Sequence, residues 1–292
     1  MNGAVLLYAL IFMMIAFWSG NYIIGKIALR EIPALLVAGL RIGMAGLFML
    51  PFYAWERGRE TARWTRADVP TLLWLGVFGV TLNQLFFVVG LSRTSVAHSA
   101  IIIGLTPVLV LLLACLRGLE RMTMQKMLGL AVALAGVAVL KAFEPATGTE
   151  ATWIGDFLTF LTALCFAIFT VFGKEVTKRH TTVTVNTFAY VGGALALAPI
   201  TVWQAVHHPL THVSAAAWLS VVYMALFPSV LAYLIYYYAL THITASRVSA
   251  FSYLQPVFAT AMGVAILGEH LSASVIVGGA IIFAGVYLVE HG

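Results

Sequence analysis

Side chains able to do chemistry are few in this chain, and most recur at helical spacing inside long apolar runs. Trp18, Asn21, Tyr22 and Gly25 share one face by three-and-four spacing, and Asn83 and Gln84 are followed by Phe87. Ser95, Ser99 and Thr106 fall on one side of a further run, with His98 near its start. Thr159, Thr162, Phe166, Phe169, Thr170 and Gly173 form another stripe, and Ser249, Ser252, Tyr253 and Gln255 lie close together. These groups hydrogen-bond and stack, so they suit holding a small molecule better than breaking a bond. Bond chemistry would need a nucleophile with its base, paired acids or a metal set, and the sequence offers neither H-E-x-x-H nor a recognisable Ser–His arrangement. Cys115 and Cys165 sit in apolar runs without metal or disulfide spacing, and His207, His208 and His212 cluster without a carboxylate or cysteine beside them. The expectation is a protein that is not an enzyme, with no catalytic residue, no metal and no cofactor.

The elements that position these residues follow from composition. Of 292 residues 62% are hydrophobic and 9% charged, against roughly 25% charged in an average soluble domain. Sixteen Lys and Arg and eleven Asp and Glu cannot cover the surface of a water-soluble protein of this size, so the outer surface must face hydrocarbon. A helix crossing a bilayer needs about 20 apolar residues. Cutting at charges, prolines and polar clusters gives ten such segments, near 4–28, 33–54, 70–91, 96–116, 124–142, 153–174, 184–203, 215–240, 246–267 and 273–289. The fold expected is all-α and integral to the membrane, one transmembrane domain over 1–292. No basic stretch precedes the first run and no cleavage site follows it, so that segment is expected to stay.

Charge sets orientation. With the N-terminus inside, inner loops carry eleven Lys and Arg (Arg57 to Arg66, Arg117 to Lys126, Lys174 to Arg179, and Arg247), and outer loops carry four, Lys26, Arg30, Arg93 and Lys141. Cytoplasmic loops retain positive charge, which places both termini in the cytoplasm. The net charge of +5 is dispersed over short loops, so it argues for a bilayer partner and against nucleic acid.

The chain also repeats itself. At a shift of 149 residues Pro107-Val108 falls on Pro256-Val257, Glu120 on Glu269, Gly129 on Gly278 and Ala135-Gly136-Val137 on Ala284-Gly285-Val286; at 148, Gly25-Lys26 falls on Gly173-Lys174 and Pro51 on Pro199. The repeats, roughly 4–142 and 153–289, hold five helices each. An odd number forces the second copy to enter the membrane in the opposite sense, and two inverted halves about an in-plane axis are the usual construction of a secondary transporter with its site near the midplane.

Pro107 and Pro256 in the fourth and ninth segments, Glu120 and Glu269 in the turns after them, Arg41 in the second, and the glycine-rich fifth and tenth give the chain a resemblance to a known group. It resembles the ten-helix, two-repeat branch of the drug/metabolite transporter superfamily, the EamA-type proteins, and is similar to the bacterial inner-membrane exporters of aromatic and other amino acids, the YddG type. The resemblance implies export of amino acids across the bacterial inner membrane. A multidrug or other small-metabolite exporter of the same superfamily is the alternative.

Within that frame the residues expected to touch substrate are Trp18, Asn21, Tyr22, Asn83, Gln84, His98, Ser99, Phe169, Ser252, Tyr253 and Gln255. They make a neutral, aromatic lining that suits small zwitterions with apolar side chains. For any single Ser or Thr, a hydrogen bond between helices is the stronger reading. Pro107 and Pro256 lack the N–H that would bond the carbonyls of Ile103 and Ser252, and as helix kinks they are assigned to gating. Arg41, about 12 Å into its helix, is assigned to structure, as are Glu120 and Glu269, which are expected to bond the first N–H groups of the fifth and tenth helices. Tyr236, Tyr237 and Tyr238 are expected in an interfacial aromatic belt. Every acidic position falls in a loop or near a helix end, which disfavours proton coupling, and no Walker A sequence supplies ATP drive. Nothing in the sequence calls for an obligatory protein partner.

Overall fold

Each apolar run folds as a helix because in lipid every backbone N–H and C=O must find its partner within the segment. The computed structural model describes residues 3–57, 64–94, 99, 102–142, 152–208, 210–255, 257–258 and 273–292. In it α1 spans Gly3–Leu29, α2 Ala34–Arg57, α3 Val69–Arg93, α5 Met124–Ala142, α6 Trp153–Val176, α7 Thr182–His207, α8 Ala215–His242 and α10 Ala273–Glu290. Two are described in part: α4 as Thr106–Leu116, and α9 as Ala245–Ala250 continued by a 3-10 turn, Phe251–Leu254. The protein is an all-helical membrane protein of ten helices in two repeats. Large side chains such as Leu47, Leu116, Leu195 and Val206 are more than 60% exposed, which is stable only where the solvent is hydrocarbon.

Local chemistry fixes the helix starts in the second half. Thr152, Thr181, Ser214 and Thr244 each turn a hydroxyl back onto the N–H three residues on, at Gly155, Thr184, Ala217 and Arg247. Each satisfies an orphan donor worth about 1 kcal/mol.

The fourth segment departs from expectation. The sequence reading makes Pro107 a kink in a continuous helix, but the chain turns at Gly104 and Leu105, and Pro107 is the second residue of a fresh helix. A proline there costs nothing, because the first N–H groups of a helix have no intrahelical partner to lose.

Two features recur at the repeat distance. Val77–Leu82 in α3 and Ala225–Leu231 in α8 are both π-helical, 148 residues apart. Lys26 Nζ donates to Leu91 O at 2.9 Å and Lys174 Nζ to Leu240 O at 2.8 Å, so matched lysines close the last turns of α3 and α8.

Helices pair across the halves, α5 with α10, α2 with α7, α3 with α6 and α1 with α8. Small residues permit the closest approaches. A Cβ on Gly285 would stand 2.4 Å from the Ala133 nitrogen, and one on Gly39 would stand 1.8 Å from Thr201 Oγ1 on α7. Gly39 thus packs inside the bundle, where its GxxxG spacing with Gly43 would equally have suited dimerisation.

Tyr236 and Tyr237 correct the expected aromatic belt. They are fully buried, Tyr236 against Phe166 and bonded to Thr170 at 2.8 Å, and Tyr237 donating to Phe169 O at 3.1 Å. Helical phase turns both rings inward, and adjacency in sequence concealed it.

Candidate functional site

The two π segments organise the centre. Widening a turn shifts the helix register and takes carbonyls out of line with their usual donors, and neighbouring helices supply substitutes. Trp18 Nε1 on α1 donates to Pro228 O at 3.0 Å, Tyr190 Oη on α7 to Ser229 O at 3.0 Å, and Tyr233 Oη on α8 to Gly79 O at 3.2 Å.

Among these helices lies a cleft enclosing about 620 Å³ of atom-free space, its mouth included. Eight of its lining residues pair at the repeat distance: Trp18 with Phe166, Gln84 with Tyr233, Ile103 with Ser252, and Thr106 with Gln255. A wall built from matched positions of both halves sits on the axis that relates them. Asn21, Tyr22, Asn83, Phe87, Thr162 and Ala163 complete it, with Arg41 from α2.

Hydrogen bonds and ring contacts hold this wall in place. Arg41 Nε donates to Ser229 Oγ at 2.8 Å, and Ser229 Oγ donates to Met224 O at 2.8 Å. Gln84 Nε2 donates to Tyr190 Oη at 2.8 Å, and Asn83 Nδ2 to Thr162 O at 3.0 Å. Trp18 meets Phe166 and Tyr233 edge to face, with ring centres 5.7 and 6.1 Å apart. Such rings offer apolar faces while their polar edges stay satisfied.

Of the residues expected to touch substrate, Trp18, Asn21, Tyr22, Asn83, Gln84, Ser252 and Gln255 line the cleft. Phe169 is fully buried against Tyr233 and Tyr237, and Ser99 and Tyr253 are buried outside the lining. His98, Pro256 and Glu269 lie outside the described residues. Pro107 is buried in the first turn of α4. Arg41, assigned to structure, both binds Ser229 and lines the cleft. Sequence reasoning passed over Tyr233, although it is the repeat mate of the singled-out Gln84.

In the turn after α4 an ionic cluster joins the starts of α5 and α9. Glu120 accepts from Lys126 Nζ at 2.9 Å, from Ser246 N at 3.1 Å and from the Ser246 hydroxyl. The sequence reading sends Glu120 to the start of the fifth helix; in the structure it instead caps α9, across the repeat boundary. Burial pushes its carboxyl upward, but the bonds from Ser246 and Lys126 outweigh that and hold it below the usual carboxylate range. Arg117 pairs with Glu175 nearby at 3.0 Å. At the opposite end Glu31 accepts from Ser214 N and Oγ, both at 2.7 Å, and those bonds lower its pKa. His207 and His208 turn Nδ1 toward carbonyls of their own helix, those of Trp203 and Gln204.

Comparison with known proteins gives the geometry its context. The family model of the EamA-like transporters matches twice, over residues 5–141 and 153–290. An uncharacterised transporter of Archaeoglobus fulgidus is 28% identical over 279 residues, 93% of this chain and 92% of that one. A protein of Streptantibioticus cattleyicolor named as a probable terminal-alkyne amino-acid exporter is 29% identical over 225 residues, covering 77% of this chain and 74% of its own. An Escherichia coli protein named as a probable amino-acid metabolite efflux pump is 24% identical over 288 residues, 94% and 92% of the two chains. A solved crystal structure shares the fold, with a TM-score of 0.79 at 18% identity over 98% of this chain and 96% of that one.

Proposed function

Since the chain belongs to the EamA-like transporter family, we propose that it exports amino acids, aromatic ones among them, across the bacterial inner membrane by alternating access of its two halves. The observation that carries this reading is the cleft on the repeat axis, walled by Trp18, Phe166 and Tyr233 and edged by the amides of Asn21, Asn83 and Gln84. Rings take an apolar side chain, amides take the polar end, and neither demands full dehydration of a multiply charged molecule. Two relatives carry names that refer to export of an amino acid or efflux of amino-acid metabolites, at 24–29% identity. Among the described residues of this cleft there is no carboxylate to relay protons, which favours facilitated movement down the substrate gradient. Both termini face the cytoplasm in this reading, on the lysine and arginine bias of the loops.

The test is flux of a radiolabelled amino-acid panel across liposomes containing the purified protein, with and without an imposed pH gradient. Saturable flux without the gradient, competed by aromatic and aliphatic amino acids, is the expected result. Movement of dyes or drugs with no amino-acid flux would transfer the assignment to multidrug export.

A further inference from the structure

Resting on the reading of the central cleft as the transport site, we infer that Arg41 is its anion-recognition residue, so that the cleft takes molecules bearing one carboxylate and rejects lipophilic cations.

Arg41 is 3% exposed and is the one charged residue among the described residues lining the cleft. A buried guanidinium is ordinarily paired, because an isolated ion in a low-dielectric interior costs many kcal/mol. Here each acidic side chain described has another partner: Glu31 has Ser214, Glu56 has Thr181, Asp68 has Thr65, Glu120 has Lys126, Asp156 has Thr94 and Glu175 has Arg117. Only Nε of Arg41 is anchored, on the neutral Ser229 hydroxyl, and its Nη1 has no hydrogen-bond partner among the described residues.

Arg41 lines the cleft with Nε fixed on Ser229 and Nη1 buried but unpaired, so a small shift of the wall brings a carboxylate onto the guanidinium, whose planar fork loses little freedom on binding. The cleft supplies a complement on α1, where the Asn21 Oδ1 acceptor is likewise buried without a partner among the described residues. A zwitterion would satisfy both, its carboxylate on Arg41 and its ammonium on the Asn21 amide oxygen. A cation with an aromatic body would find the rings but also an uncompensated like charge.

The test compares four ligands of one aromatic body: phenylalanine, phenylacetate, phenethylamine and the neutral phenethyl alcohol. Binding is read as the rise in Tm of the purified full-length protein in detergent, and transport as flux in liposomes. Phenylalanine and phenylacetate are expected to raise Tm at concentrations about 10-fold or more below those phenethylamine needs, the value of one charge-assisted bond. Arg41→Gln should abolish that preference, and Arg41→Lys should restore part of it. The wild-type ligand series decides even where the Gln variant does not fold. Phenethylamine binding as well as the carboxylates, or a carboxylate preference unchanged in Arg41→Gln, overturns the inference while amino-acid flux keeps the transport reading. Arg41-dependent phenylacetate binding without amino-acid flux does the opposite.

Discussion

Replacing Glu120 with Gln should destabilise the folded protein by about 3 kcal/mol, and removing Lys126 as well should recover much of that loss. The carboxylate and ammonium lie 2.9 Å apart with side chains 5% and 8% exposed, so the pair is buried. Breaking such a pair from one side costs about 3–5 kcal/mol, mostly because the surviving charge stays desolvated. Glutamine keeps the shape and still accepts from Ser246, which places the estimate at about the lower end of that range. Lys126→Met in the Glu120→Gln background leaves no stranded ammonium. The assay is a double-mutant cycle on denaturant unfolding in mixed micelles, followed by tryptophan fluorescence. Additive losses, or a Glu120→Gln cost below about 0.5 kcal/mol, would refute the pairing argument. The pH dependence has a definite sign. The Glu120 carboxyl titrates below its ordinary value of 4.5, so its contribution is complete above that value and disappears as pH falls through the lower folded value. Wild type should therefore lose more stability than Glu120→Gln on acidification below about 4.5.

Further predictions concern the cleft and the repeat. Trp18→Ala should reduce flux about 10-fold or more while folded protein is still recovered, and Trp18→Phe, which keeps a ring but strands Pro228 O, should cost about 1–3 kcal/mol of stability in the same unfolding assay. Gln84→Ala, which removes the buried bond to Tyr190, should raise the KM for phenylalanine about 10-fold in liposomes and cost about 1–3 kcal/mol of stability; an unchanged KM removes Gln84 from the site. The repeat-matched glycines should behave unequally. A Cβ on Gly173 would stand 2.0 Å from the Tyr237 hydroxyl, whereas on Gly25 its nearest neighbour is Met224 Cε at an ordinary 3.5 Å. Gly173→Ala should destabilise by about 1–3 kcal/mol, and Gly25→Ala should be neutral or slightly stabilising, as Tm measurements on the two variants will show.

Much was legible in the chain alone because a bilayer imposes a simple rule. Every span must satisfy its own backbone, so apolar runs of sufficient length become helices, and the scarcity of charge fixed the solvent as lipid before any contact was known. The repeat was legible too, since Pro107, Glu120 and Gly25 recur at nearly one offset whatever the structure does with them. Three-and-four spacing placed Trp18, Asn21 and Tyr22 on a common face, and that face lines the cleft. Long-range partners were beyond reach. Spacing cannot say that Glu120 bonds Ser246, 126 residues away, or that Arg41 is held by Ser229, 188 residues away. Nor could it separate Tyr233, which lines the cleft, from Tyr236 and Tyr237, which are buried outside its lining, because the π turn in α8 resets the helical phase just before them. The sequence by itself determined the solvent, the helices and their duplication, all of which depend on local composition. Only the tertiary structure decided which polar groups remain without partners, because whether a buried donor is satisfied depends on every helix packed around it.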